Sequence, residues 1–97
     1  MSYWLHPAAE EELSDSAAYY GQHASRRVAE AFLEELEAAF HLLELNQRLG
    51  RRVAGGLRLY SLRRFPFSLV YREDASGPRI LTVAHQKRKP GYWRNRL

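Results

Sequence analysis

The segment from Ser25 to Glu44 is the part of the chain with the least freedom, and everything else must accommodate it. Val28, Phe32, Leu36, Ala39 and Leu43 recur at steps of three or four, and Leu33 and Phe40 widen the stripe. Glu30, Glu34, Glu37, His41 and Glu44 trace the opposite side. That pattern is an α-helix with one apolar face and one solvated face. Ser25 stands where its side chain can cap the first turn. A stripe of this length has to be buried against a second layer.

A weaker helix precedes it. Pro7 suits a first helical position, where its missing N–H has no partner to lose. Glu10, Glu11 and Glu12 follow in the first turns, which the helix dipole favours. Ala9, Leu13, Ala17, Tyr20 and Ala24 form a stripe that runs to about His23, with Gly21 near its end. The short link to Ser25 makes the two helices an antiparallel hairpin. Tyr3 to His6, ahead of Pro7, reads as a short first strand.

Downstream the apolar period shortens toward two. Gln47 to Gly56 is polar, basic and closed by Gly55-Gly56, which reads as a loop. Leu57 to Phe65 is a strand ended by Pro66. Phe67 to Arg72 alternates, with Phe67, Leu69 and Tyr71 on one face. Glu73 to Pro78 is a turn, and Arg79 to His85 is the last strand. A short helix can follow Pro90. Consecutive strands with short connections imply an antiparallel sheet. The expectation is a single α+β domain over residues 1–97, ordered β-α-α-β-β-β, with the hairpin on one face of a small antiparallel sheet. No repeat or linker interrupts it.

Charge divides the chain in two. Up to Asn46 there are two arginines against nine acidic residues, a formal −7; from Gln47 onward there are thirteen Lys and Arg against Glu73 and Asp74, or +11. The net +4 conceals that separation. Arg51, Arg52, Arg58, Arg63, Arg64, Arg72, Lys87, Arg88, Lys89, Arg94 and Arg96 are enough to make a face for an anionic partner. The plainer alternative is a solvated surface on a basic protein, yet the surplus exceeds what solubility requires. An acidic hairpin repels nucleic acid, so any such contact would use the sheet edge and the C-terminal side.

Other classes are excluded by what the chain lacks. It has no cysteine, and its four histidines (His6, His23, His41, His85) have no short metal-ligand spacing, so no metal site or cofactor is expected. The N-terminus has neither the basic nor the apolar region of a signal peptide. No apolar run approaches the roughly 20 residues that cross a bilayer. A soluble, cytoplasmic protein is expected. Apolar residues at 45% argue against disorder.

Three candidates for chemistry remain. His85 could move protons, but the plainer reading is a strand-end histidine bonded to backbone or to the C-terminal segment. Tyr92 and Trp93 could stack on bases or dock into a groove. Being adjacent, they point different ways, so one packed ring and one available ring are expected. Glu73 and Asp74 are turn carboxylates, and Gly55-Gly56 is a turn rather than a phosphate cradle.

Phe65-Pro66-Phe67-x-Leu69-Val70-Tyr71-Arg72, then Val83-x-His85-x-x-Arg88-x-Pro90, behind an Ala/Glu/Leu-rich helical hairpin, resembles the RelE/ParE superfamily of type II toxin–antitoxin toxins. The resemblance runs from about Pro7 to Trp93. In the RelE-like branch it implies ribosome-dependent cleavage of mRNA, with arginines on the phosphate. An arginine of that branch falls where this chain has Ser68, and a second where it has Gln86; Tyr92 matches the proposed proton acceptor. The ParE-like branch is similar in Tyr71-Arg72 and in Val83-x-His85, and implies a toxin that binds DNA gyrase.

The favoured expectation is therefore a ParE-like toxin that acts by binding, serves plasmid stabilisation and is neutralised by a cognate antitoxin. Arg58, Arg63, Arg64, Arg72, Lys87, Arg88, Tyr92 and Trp93 are its expected partner-binding residues. The enzyme alternative is a metal-independent endoribonuclease drawing on Arg58, Arg64, His85, Arg88 and Tyr92, with ribosome and mRNA as partners. A non-toxic nucleic-acid-binding module is the third reading.

Overall fold

Both helices begin on the caps that their sequences supply. The computed structural model describes residues 2–96. After strand β1 (Trp4–Leu5), helix α1 (Pro7–His23) opens with Pro7 in its first turn and His6 Nδ1 accepting from the Ala8 N–H at 3.0 Å. Helix α2 (Arg26–Leu45) opens on Ser25, whose Oγ accepts from the Val28 N–H at 3.1 Å. α2 buries Phe32, Leu36, Ala39, Phe40 and Leu43 of the stripe read from the sequence, but leaves Val28 at its first turn half-buried and Leu33 at the border exposed. α1 buries only Ala9 completely and packs along α2 and the last strand, Arg79–His85.

The sheet has five strands: β1, β2 (Arg51–Val53), β3 (Leu57–Ser61), β4 (Phe67–Arg72) and β5 (Arg79–His85). Their spatial order is β1-β5-β4-β3-β2. The β-α-α-β-β-β order therefore holds with two refinements. First, β1 pairs with β5 in parallel, Trp4 opposite Arg79 and Leu5 opposite Ile80, so one pair of an otherwise antiparallel sheet is parallel. The chain leaves β1 through the hairpin and returns along the far edge, a crossover that sequence neighbours alone do not reveal. Second, the stretch expected to be a loop contains β2. It pairs with β3, and Gly55 and Gly56, at φ +84 and +73, make the turn between them.

β3 stops at Ser61 rather than Phe65. The Leu62 N–H bonds to the Phe67 carbonyl at 2.9 Å, and Phe65 swings back under α2 to meet Phe32 and Tyr20. Phe67, Leu69 and Tyr71 do share the helix-covered face. Leu57, Val70 and Leu81 make a small cluster on the other face, with Trp93 packed against it. A short 3-10 turn, Arg94–Arg96, follows Pro90.

Tyr71 ties the sheet to the loop after α2. Its buried hydroxyl donates to the Gln47 carbonyl at 2.6 Å and accepts from the Gly50 N–H at 2.9 Å. A Cβ at Gly50 would lie 2.7 Å from that hydroxyl and 2.9 Å from the Leu59 carbonyl oxygen, so only glycine lets the loop approach. Tyr71→Phe leaves the Gly50 N–H without its partner and is expected to cost about 1–3 kcal/mol. Urea unfolding should show a lower midpoint at unchanged slope.

Candidate protein-binding surface

The acidic and basic halves of the chain are joined inside the fold, and the joints determine which cations stay available. The main joint is Glu12 on α1. Its carboxylate accepts from Thr82 Oγ1 at 2.7 Å, from the Val83 N–H at 3.1 Å and from the Tyr92 hydroxyl at 2.8 Å. Arg96 adds a two-pronged contact, Nη1 to Oε1 and Nη2 to Oε2, both at 3.0 Å. The same guanidinium donates to the Leu81 carbonyl at 3.0 Å. β1 pairs with β5 only through Ile80, so this ion pair covers backbone groups on the edge that β1 leaves open. Burial pushes the Glu12 carboxyl up, but hydrogen bonds from Arg96, Thr82, Tyr92 and Val83 outweigh it and hold it below its ordinary value.

The second joint is Glu35 on α2. It accepts from the Arg63 N–H at 2.6 Å and from Arg64 Nε at 3.1 Å, which locks the β3–β4 turn onto the hairpin. A third pair lies within the basic half. Arg58 donates Nε to Glu73 and Nη1 to the Gly50 carbonyl, and its side chain is only 11% exposed.

The residues singled out in the sequence thus sit in different surroundings. Arg58 is a framework residue. The Arg63 and Arg64 side chains edge a groove between α2 and β3, with Tyr60, Leu42 and Ala38 on its floor. Arg72 is exposed at the end of β4. His85 accepts from the Lys87 N–H at 3.1 Å through Nδ1 and meets Phe67 edge-on, as the plainer reading expected. No carboxylate hydrogen-bonds it among the described residues. Lys87 and Arg88 are exposed, and the Arg88 guanidinium lies 3.8 Å above the Tyr92 ring.

Tyr92 and Trp93 point apart, as neighbours must. Neither is free, however: both are half-buried, Tyr92 on Glu12 at the β5 edge and Trp93 against the cluster on the open face. Burial, followed by the Glu12 carboxylate, raises the Tyr92 hydroxyl above its ordinary value although Thr82 opposes the shift. Tyr92 therefore serves as a hydrogen-bond donor.

On the open face, opposite the hairpin, lies a basin of about 490 Å³. Val53, Leu59, Val70 and Ala84 floor it, and Ser61 and Ser68, with hydroxyls 3.1 Å apart, close one end. Trp93 is a wall, and Arg51, Arg88 and Arg94 contribute the charge.

Sequence reasoning missed Glu12 and Glu35. Each stands three residues after a buried stripe position, Ala9 and Phe32, at the border between apolar and polar faces. That border placement was the available signal.

A family model described as the ParE toxin of the type II toxin–antitoxin system parDE matches residues 3–90. A solved structure of a chromosomal ParDE TA system from P. aeruginosa is similar with a TM-score of 0.76 at 24% identity, over 88% of this chain and 95% of that one. At that identity the likeness carries the fold. No curated protein matches the chain. With the family model spanning most of its length and the fold agreeing, this chain belongs to the ParE toxin family of type II toxin–antitoxin systems.

Proposed function

We propose that the chain inhibits growth by binding a target protein, DNA gyrase, and that a cognate antitoxin neutralises it by covering its basic side. One observation carries the choice of binding over RNA cleavage. Two of the arginines a nuclease would need are engaged apart from one another, Arg58 with Glu73 and Arg64 with Glu35, and although His85, Arg88 and Tyr92 line one cleft between α1 and β5, the Tyr92 hydroxyl there is bonded to Glu12 and Thr82. Transition-state stabilisation requires such groups to converge on one reacting centre. Ser68 and Gln86 supply no guanidinium in their place.

The direct experiment adds purified protein to a translating extract and maps mRNA 5′ ends by primer extension. Intact mRNA at inhibitory doses, together with blocked supercoiling in a gyrase assay, is the expected result. New ends at the ribosomal A site that vanish in Tyr92→Phe would establish the nuclease instead.

Antitoxin binding is expected to depend on charge. Replacing Arg63, Arg64 and Arg88 together by glutamate should weaken it about tenfold or more at low salt and less at high salt. Equal affinity at both salt concentrations counts against the basic side as the contact.

A further inference from the structure

We infer that the outer edge of β5 is a strand-addition site for a second copy of this chain, and that Glu12 and Arg96 hold it closed. Their ion pair stands where a neighbouring strand's peptide groups would stand.

A bulge creates the site. β1 reaches only as far as Ile80, whose carbonyl accepts from the His6 N–H at 2.9 Å on the outer side of β5. Regular alternation would turn the next residue toward β4. Instead the register slips: Tyr71 faces Ile80 and Val70 faces Thr82, so Leu81 is an extra residue. Past the slip, the Leu81 carbonyl and the Val83 N–H are bonded on the outer side, to Arg96 Nη1 at 3.0 Å and to the Glu12 carboxylate at 3.1 Å. A paired strand would supply the same two groups, one donor and one acceptor. Side chains supply them here.

The strand behind this cover is suited to its own image. Ile80-Leu81-Thr82-Val83-Ala84 is uncharged, free of Pro and Gly, and rich in β-branched residues. An uncovered edge of that composition is a template for pairing. Antiparallel pairing about Thr82 sets Leu81 against Val83 and Ile80 against Ala84, with no charge inside the match. In that register the Val83 N–H of each copy meets the Leu81 carbonyl of the other. These are the two groups that Glu12 and Arg96 now occupy. A two-fold axis at Thr82 closes the contact after two copies.

One carboxylate holds the cover in place. The Tyr92 hydroxyl and the Arg96 guanidinium both end on Glu12. The connection from β5 to that segment, residues 86–90, is exposed throughout. Removing the Glu12 contact therefore frees the edge without breaking any strand pair of the sheet.

Sedimentation velocity of the full chain is the test. Glu12→Met with Arg96→Met removes both halves of the ion pair and orphans neither charge, while Thr82 and Tyr92 keep their mutual hydrogen bond. Wild type should stay monomeric, and the double variant should dimerise at concentrations lower by about a hundredfold or more. Hydrogen exchange should show the Val83 amide of the double variant regaining protection as protein concentration rises. Arg96→Met alone leaves Glu12 with its three other donors and serves if the double variant does not fold. It should shift dimerisation by about tenfold. A folded variant that remains monomeric at every concentration overturns the inference. So does a dimer whose Val83 amide gains no protection, because the copies then meet elsewhere. Wild type dimerising as readily as the variants would show that the ion pair does not close the edge, and overturns it too.

Discussion

Glu12→Ala is expected to loosen the C-terminal segment and to cost about 3–5 kcal/mol, the range for removing one member of a buried ion pair. Arg96 and Glu12 are each only 15% exposed, so the orphaned guanidinium regains little water. The Thr82 and Tyr92 hydroxyls and the Val83 N–H lose the same acceptor at once. A thermal melt should fall by about 12 °C or more for a domain of this size. Arg96→Met added to Glu12→Ala should cost less than the sum of the two single changes, because neither charge is then left alone.

The same carboxylate sets an acid limb. Its folded value lies below the ordinary 4.5, so the folded state holds fewer protons than the unfolded chain near that pH. The contribution is fully present above 4.5 and is lost as pH falls through the lower folded value. Glu12→Gln should flatten that limb in urea midpoints measured from about pH 5 downward.

Phe32→Ala should have an effect of comparable size for a different reason. The ring is fully buried on α2, with Tyr20 and Phe65 each 5.2 Å away by ring centroid and Phe67 5.0 Å away. Emptying that site costs about 3–5 kcal/mol, since three rings from three other elements cannot all collapse into it. Native domains have only about 5–15 kcal/mol in total, so a large share of the stability goes. Circular dichroism should show a melt lowered by about 15–30 °C. Leu33→Ala, on the exposed border of the same helix, should change it by about 0.5 kcal/mol or less.

The contrast between these two residues separates what was legible from what was not. Phe32 announces itself through its spacing with Val28, Leu36 and Ala39, since burial of a helical stripe is a local periodic property. Glu12 stands among Glu10 and Glu11 and resembles them in every local respect. Only the return of residues 82, 83, 92 and 96 to its side distinguishes it, and those contacts span 70 to 84 positions of chain.

The basic half shows the same division. Its +11 is plain in composition, but which arginines remain available follows from pairing. Arg58 and Arg64 look like open candidates and are held by Glu73 and Glu35, whereas Arg51 and Arg94 were unremarkable members of a long set and face an uncompensated basin. Strand pairing behaves alike. The alternation of Phe67, Leu69 and Tyr71 determines which face they share, while the parallel union of β1 with β5 depends on where a hairpin crossover lands.

The sequence by itself therefore determined the two helices, the inward faces of the central strands, the opposed charges of the two halves and the family. Each of these is a local period, a sum or a short motif. Tertiary structure alone decided the parallel edge strand, the ion pair that closes the β5 edge, and the face on which unpaired positive charge remains. Those depend on which distant residues meet, and Coulomb and hydrogen-bonding energies act across space without regard to separation along the chain.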